Sequence, residues 1–159
     1  MNKFDKVMME YSRRHEEEIG KEIKESKTKE SSPIAALIRS TLNKGHKVYL
    51  CTDWHLWMYD KKTKQKTQRS DFKQIINRYN DIVTDDDLVI NLGDLTDGEV
   101  ERKKELADVI GQLKGKKVLV RGNNDLYPDD YYISIGFKYI TPKFIYDNIL
   151  FSHMPQENN

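Results

Sequence analysis

Three short apolar runs, each followed at once by a turn bearing carboxylate or amide side chains, constrain this chain more than any other feature. Val48 to Thr52, Leu88 to Leu92 and Lys117 to Val120 lack polar alternation, the pattern of strands covered on both faces. The stretches between them have helical periodicity instead. Phe72, Ile75, Ile76, Tyr79, Ile82 and Val83 form one amphipathic stripe after a Ser70-Asp71 start, and Leu106, Val109, Ile110 and Leu113 form another that stops at Gly115. Strand, helix, strand, helix, strand in succession predicts right-handed crossovers, a parallel sheet and an α/β fold. The loops after the strands of such a sheet emerge at one edge, where open α/β sheets bind ligands.

Those loops carry chemistry. They read Asp53-Trp54-His55, Gly93-Asp94-Leu95-Thr96-Asp97 and Gly122-Asn123-Asn124-Asp125, and a later apolar run ends in Ser152-His153-Met154-Pro155. Carboxylates, an amide oxygen and imidazoles brought to one edge are a donor set suited to a pair of divalent metals. Asp53 and His55, two apart on what reads as an extended segment, point to the same side. Gly93 lets the backbone approach an ion without a Cβ in the way. Each motif alone has a plainer reading: Asp53 as a turn former, Asp97 as a cap for a helix from Val100 onward, His153 as surface near a polar end. His15 and His46 match none of the motifs.

In order and residue type, the motifs resemble the blocks of the metallophosphoesterase superfamily, the calcineurin-like phosphoesterases: D-x-H, G-D-x-x-D, G-N-H-D, a lone His and G-H-x-H. The intervals of 41, 29 and 30 residues from Asp53 to Asp94, Asn123 and His153 each leave room for a crossover helix and the next strand. The resemblance spans residues 47–155 and implies an α/β/β/α sandwich, here with an incomplete second sheet. It implies Asp53 and His55 as ligands of a first metal, Asp94 as the bridge, and Asn123 and His153 as ligands of a second, with ions of manganese, iron, nickel or zinc type. It gives Asp97 a supporting role, makes Asp125 the residue that orients position 124, and implies hydrolysis of a phosphoester by a metal-bound hydroxide. Arg121, just before Gly122, is a further candidate for contact with phosphate.

Two departures bear on activity. Asn124 stands where the family usually has His, and an amide donates a hydrogen bond but delivers no proton. Compact members with G-N-C-D look similar and are associated with diesters, which tilts the reading toward a phosphodiesterase. The G-H-x-H block is absent before Asn159. That absence supports the alternative, a metallophosphoesterase-like scaffold that binds a partner or one metal without turnover.

The rest of the chain sets the frame. With 159 residues, 33% charged and a formal net charge of +1, one domain with a wet surface is expected and no global field recruits nucleic acid or membrane. No stretch approaches the roughly 20 apolar residues of a membrane span, and the N-terminus lacks the apolar run of a secretory signal, so the expected location is cytoplasmic. Cys51 is the single cysteine and reads as a small buried hydrophobe. Phe4, Val7, Met8, Tyr11, Ile19 and Ile23 recur at helical spacing among charged residues. Residues 1–32 therefore read as a helical extension and linker, laid on the domain or serving an oligomer, and 33–159 as the metallophosphoesterase domain. Ser32-Pro33 starts a helix that stops near Gly45. Trp54, Trp57 and Tyr59, followed by Lys61, Lys62, Lys64, Lys66 and Arg69, read either as a solvated hairpin or as a rim for a nucleotide or single-stranded nucleic acid. Asp85-Asp86-Asp87 reads as a loop at the opposite edge. Asp147-Asn148 reads as the turn of a hairpin that breaks the parallel order.

Overall fold

A computed structural model describes residues 32–60, 62–63, 65–68, 71–98 and 102–155; the expected N-terminal helix and His15 lie outside them. The elements are α1 (Pro33–Asn43), β1 (Val48–Cys51), β2 (Trp57–Asp60), β3 (Gln65–Gln68), α2 (Phe72–Ile82) and β4 (Leu88–Asn91), followed by α3 (Lys103–Gln112), β5 (Lys116–Val120), α4 (Asp129–Ser134), β6 (Phe137–Thr141), β7 (Lys143–Tyr146) and β8 (Ile149–Ser152). β1, β4, β5 and β6 form one parallel sheet in the order β1-β4-β5-β6. Ser32 caps α1 by accepting from the Ala35 amide at 3.1 Å, with Pro33 in the first turn.

Alternation along the strands divides the core between the two faces of this sheet. On one face Leu119 and Phe137 pack against Ile76 of α2, Leu106 and Ile110 of α3 and Tyr132 of α4. On the other, Ile90, Val118 and Val120 pack against Ile34 and Ile38 of α1 and Phe144 of β7. β7 and β8 pair antiparallel as a second, two-stranded sheet. Their turn places Asp147 and Asn148 at φ 51° and 60°, the left-handed pair that a tight hairpin requires. Phe144 and Phe151 stack across it with ring centroids 4.8 Å apart.

β6 and α4 were not anticipated from the sequence. α4 has six residues, too few to show a period, and β6 reads Phe-Lys-Tyr-Ile-Thr because it is an edge strand with one side toward water.

The edge that receives chain from the helices is fixed by Asp87, which is buried within the expected Asp85–Asp87 loop. It accepts from the Lys47 amide at 2.7 Å and from the Thr84 amide and hydroxyl at 2.9 and 2.8 Å. Those bonds lower its pKa to about 2. Lys117 donates to the Leu113 and Gly115 carbonyls just past α3, and burial lowers its pKa. Among the described residues no helix is long and apolar enough to cross a membrane.

Candidate metal centre

At the opposite edge, the loops after β1, β4 and β5 lie against one another. Asp53 N donates to Gly93 O, His55 N to Asp94 O and Leu56 N to Leu95 O at 2.9–3.0 Å. The Asp53–His55 segment is therefore laid alongside the next loop rather than extended as the sequence suggested. Asp53, His55 and Asp94 have φ of 54°, 41° and 56°, a region that costs non-glycine residues about 1–3 kcal/mol each and clusters at functional sites. Glycine is required where the loops touch. A Cβ on Gly93, at φ 104°, would lie 2.6 Å from Gly122 N and 2.9 Å from His153 Nδ1. A Cβ on Gly122 would lie 2.5 Å from Asp94 N.

This packing makes Asp94 the centre of the cluster, with 4% of its surface exposed. Its Oδ2 lies 3.8 Å from His55 Nε2 and its Oδ1 lies 3.4 Å from His153 Nε2. Asp53 Oδ1 stands 3.5 Å from His55 Nε2, and Asn123 Oδ1 stands 3.2 Å from His153 Nε2. Asp53, Asp94 and His153 can each offer a ligand atom within 4.8 Å of the others. Asp53 accepts from the Thr52 hydroxyl at 2.6 Å; that bond and the neighbouring imidazoles lower its pKa and favour the carboxylate.

The chemistry of the donor set fits a cation. His153 Nδ1 lies 2.8 Å from Leu92 O, and a carbonyl only accepts, so Nδ1 carries the hydrogen. In the neutral ring Nε2 then presents a lone pair to the Asn123 and Asp94 oxygens, three acceptors with no proton between them. Orientation of a ligating imidazole by a carbonyl on its other nitrogen is the usual arrangement at metal sites. On the other side, Asp97 Oδ1 is 3.9 Å from His55 Nδ1, beyond hydrogen-bond distance. Thr52 and the Leu92 carbonyl had no signal in the motifs: one is a neighbour of a ligand and the other is backbone.

Asp125 has a different task from orienting position 124. It is buried and accepts from Gly122 N at 2.8 Å, Asp94 N at 2.9 Å and Leu95 N at 3.0 Å. Burial raises its pKa while these three bonds oppose the rise. Asn124 binds Asp94 directly, its amide N–H to Oδ1 at 3.0 Å and its Nδ2 to Oδ2 at 2.8 Å. Arg121 is turned away from the cluster. Its guanidinium donates to the carbonyls of Asp125 and Tyr127, pairs with Asp129 and lies 5.4 Å over the Tyr132 ring. Those contacts staple its own loop and leave the expected phosphate role without support.

Trp54 and Trp57 are also corrected. Both are buried, Trp54 edge-on to Tyr79 at 5.8 Å and Trp57 tilted on Phe72 at 6.4 Å. They are core, not a stacking rim. The cationic run after them crosses the β2–β3 hairpin, of which Lys61, Lys64 and Arg69 lie outside the described residues. Burial pushes the Cys51 thiol up to about 12, in keeping with an inert core position.

The model of the calcineurin-like phosphoesterase family matches residues 46–159. No curated protein matches the sequence. Among solved structures, AQ665, a protein of unknown function from Aquifex aeolicus, is similar with a TM-score of 0.48 at 24% identity, covering 70% of this chain. The chain spans 62% of the length of that protein.

Proposed function

The chain belongs to the calcineurin-like phosphoesterase family, and from that premise we propose that it is a metal-dependent phosphoester hydrolase with a preference for diesters. The observation that carries the reading is the position of Asp94, whose two carboxylate oxygens each face a different imidazole. Asp53, His55 and Asp94 would hold one divalent ion, and Asp94, Asn123 and His153 a second, of manganese, iron, nickel or zinc type. When bound, such ions polarise phosphoryl oxygens and activate water for attack.

The chain's own residues supply the rest. Asp125 holds the Gly93–Leu95 turn that aims the Asp94 carboxylate. Leu92 O fixes the His153 ring, and Asp97 stands behind His55. Asn124 donates a hydrogen bond and no proton, which favours esters whose leaving oxygen needs no protonation. With Arg121 committed to its own loop, a singly charged diester suits the site better than a doubly charged monoester. Lys61, Lys62, Lys64, Lys66 and Arg69 in the sequence suit an anionic substrate such as a nucleotide or single-stranded nucleic acid by charge alone, without the aromatic platform that buried Trp54 and Trp57 would have given.

The test is hydrolysis of bis(p-nitrophenyl) phosphate against p-nitrophenyl phosphate, with metal content measured in the same samples. Diester turnover that needs metal and is lost in Asp94→Ala supports the proposal; faster monoester turnover opposes its diester part. Protein that holds metal and cleaves neither ester supports the second reading, a non-catalytic scaffold.

A further inference from the structure

The sheet face that packs on α1 and the β7–β8 hairpin is incompletely covered. Between the start of α1, the edge strand β6 and the hairpin lies an apolar groove of about 620 Å³. Its walls include Pro33, Ile34, Tyr139, Ile140, Phe144 and Leu150. Tyr139 and Leu150 keep 38% and 42% of their surface exposed. The volume exceeds what one side chain fills, and among the described residues the walls carry Lys143 as their one charged residue. Such a surface fits a run of apolar side chains better than a charged ligand.

We propose that this groove is filled by residues 4–23 of the same chain, which complete the cover that α1 begins. The chain enters α1 at Ser32, itself part of the groove wall, so the 31 preceding residues start where the groove opens. Phe4, Val7, Met8 and Tyr11 fall at the i, i+3, i+4, i+7 spacing of one helical stripe, and Ile19 and Ile23 form a second apolar pair four apart after an interruption at Arg14, His15 and Glu18. Twenty residues in that form would reach about 30 Å. The polar stretch from Lys24 to Ser31 spans up to about 28 Å when extended, enough for the chain to turn back on itself. Attachment at the groove mouth gives the segment an effective concentration on the order of millimolar, an advantage that a second copy or a separate partner lacks.

The test uses the full chain with Cys51→Ala, which removes the native thiol, and Ser12→Cys, beside the stripe, carrying a nitroxide. Amide resonances of Tyr139, Ile140, Ile145 and Leu150 should lose intensity relative to the reduced label, while those of Leu106 and Val109 in α3 should not. Val7→Asp combined with Tyr11→Asp should restore the intensities, and Arg13→Asp on the polar side should leave the loss in place. No loss at the groove would overturn the proposal. So would loss that appears only between nitroxide-bearing and isotope-labelled chains in a mixed sample, because a second copy would then be the occupant.

Discussion

Asp125 gives the sharpest test of how this site is built, because it touches the metal-binding loops only through their backbone. Its Oδ2 accepts from Asp94 N and Gly122 N, and its Oδ1 from Leu95 N. Asp125→Ala leaves three buried amides without an acceptor, at about 1–3 kcal/mol each. Removing the carboxylate also relieves the burial that raises its pKa, so the expected net loss is about 3–5 kcal/mol. That is a large share of the roughly 5–15 kcal/mol that keeps a domain folded. Asp125→Asn keeps one oxygen for two of the amides and turns an NH₂ toward the third, a loss of about 1–3 kcal/mol. Urea denaturation without metal should rank wild type, Asn and Ala in that order. Metal affinity by calorimetry should fall in the Asn variant although no ligand side chain has changed. Equal stability of Asn and Ala, or unchanged affinity in Asn, would refute the clamp.

Other outcomes follow from the same geometry. Gly93→Ala should lose metal binding and several degrees of melting temperature, since its Cβ would lie 2.6 Å from Gly122 N at φ 104°; a normal melting curve with metal bound would contradict the packing of the loops. Asp94→Ala should bind no divalent ion at either position, checked by metal analysis after dialysis. Asn124→His should raise turnover of poor leaving groups by no more than about 10²-fold, the low end for general acids, because Asp125 is committed to backbone amides and leaves a new imidazole unoriented. For Asp87, the folded pKa of about 2 lies below the roughly 3.9 of an unfolded Asp. Its contribution is therefore complete above that value and is lost as pH falls from about 4 to 2, with up to one proton taken up on unfolding. Asp87→Asn should flatten the acid limb of the stability curve in that window, and an unchanged limb would show that the Lys47 and Thr84 bonds are not felt.

The parallel sheet and its crossovers were legible because burial of β4 and β5 on two faces leaves unalternating apolar runs and helices leave a 3.6-residue period. α4 and β6 escaped for the converse reason, one too short for a period and the other an edge strand with a polar side. The glycines and acidic residues of the site were legible because close backbone contact and metal ligation admit few residue types. What those residues do to one another was less so. Nothing in Asn124-Asp125 as letters tells that the carboxylate turns back to three amides while the amide reaches Asp94.

Arg121, Trp54 and Trp57 show the same limit from the opposite side. Each sits in sequence beside a metal motif, where a cation or an aromatic ring would serve a phosphoester, and each is turned by its loop into the protein. The loops are strained, with three non-glycine residues at positive φ, and strain persists only where surrounding contacts over-determine it. Buried rings under the first loop and a guanidinium across the third supply such contacts. Residues that neighbour a ligand are thus as readily recruited to hold the ligand's backbone as to meet the substrate. Burial and hydrogen-bond partners, which depend on the fold, decide between the two.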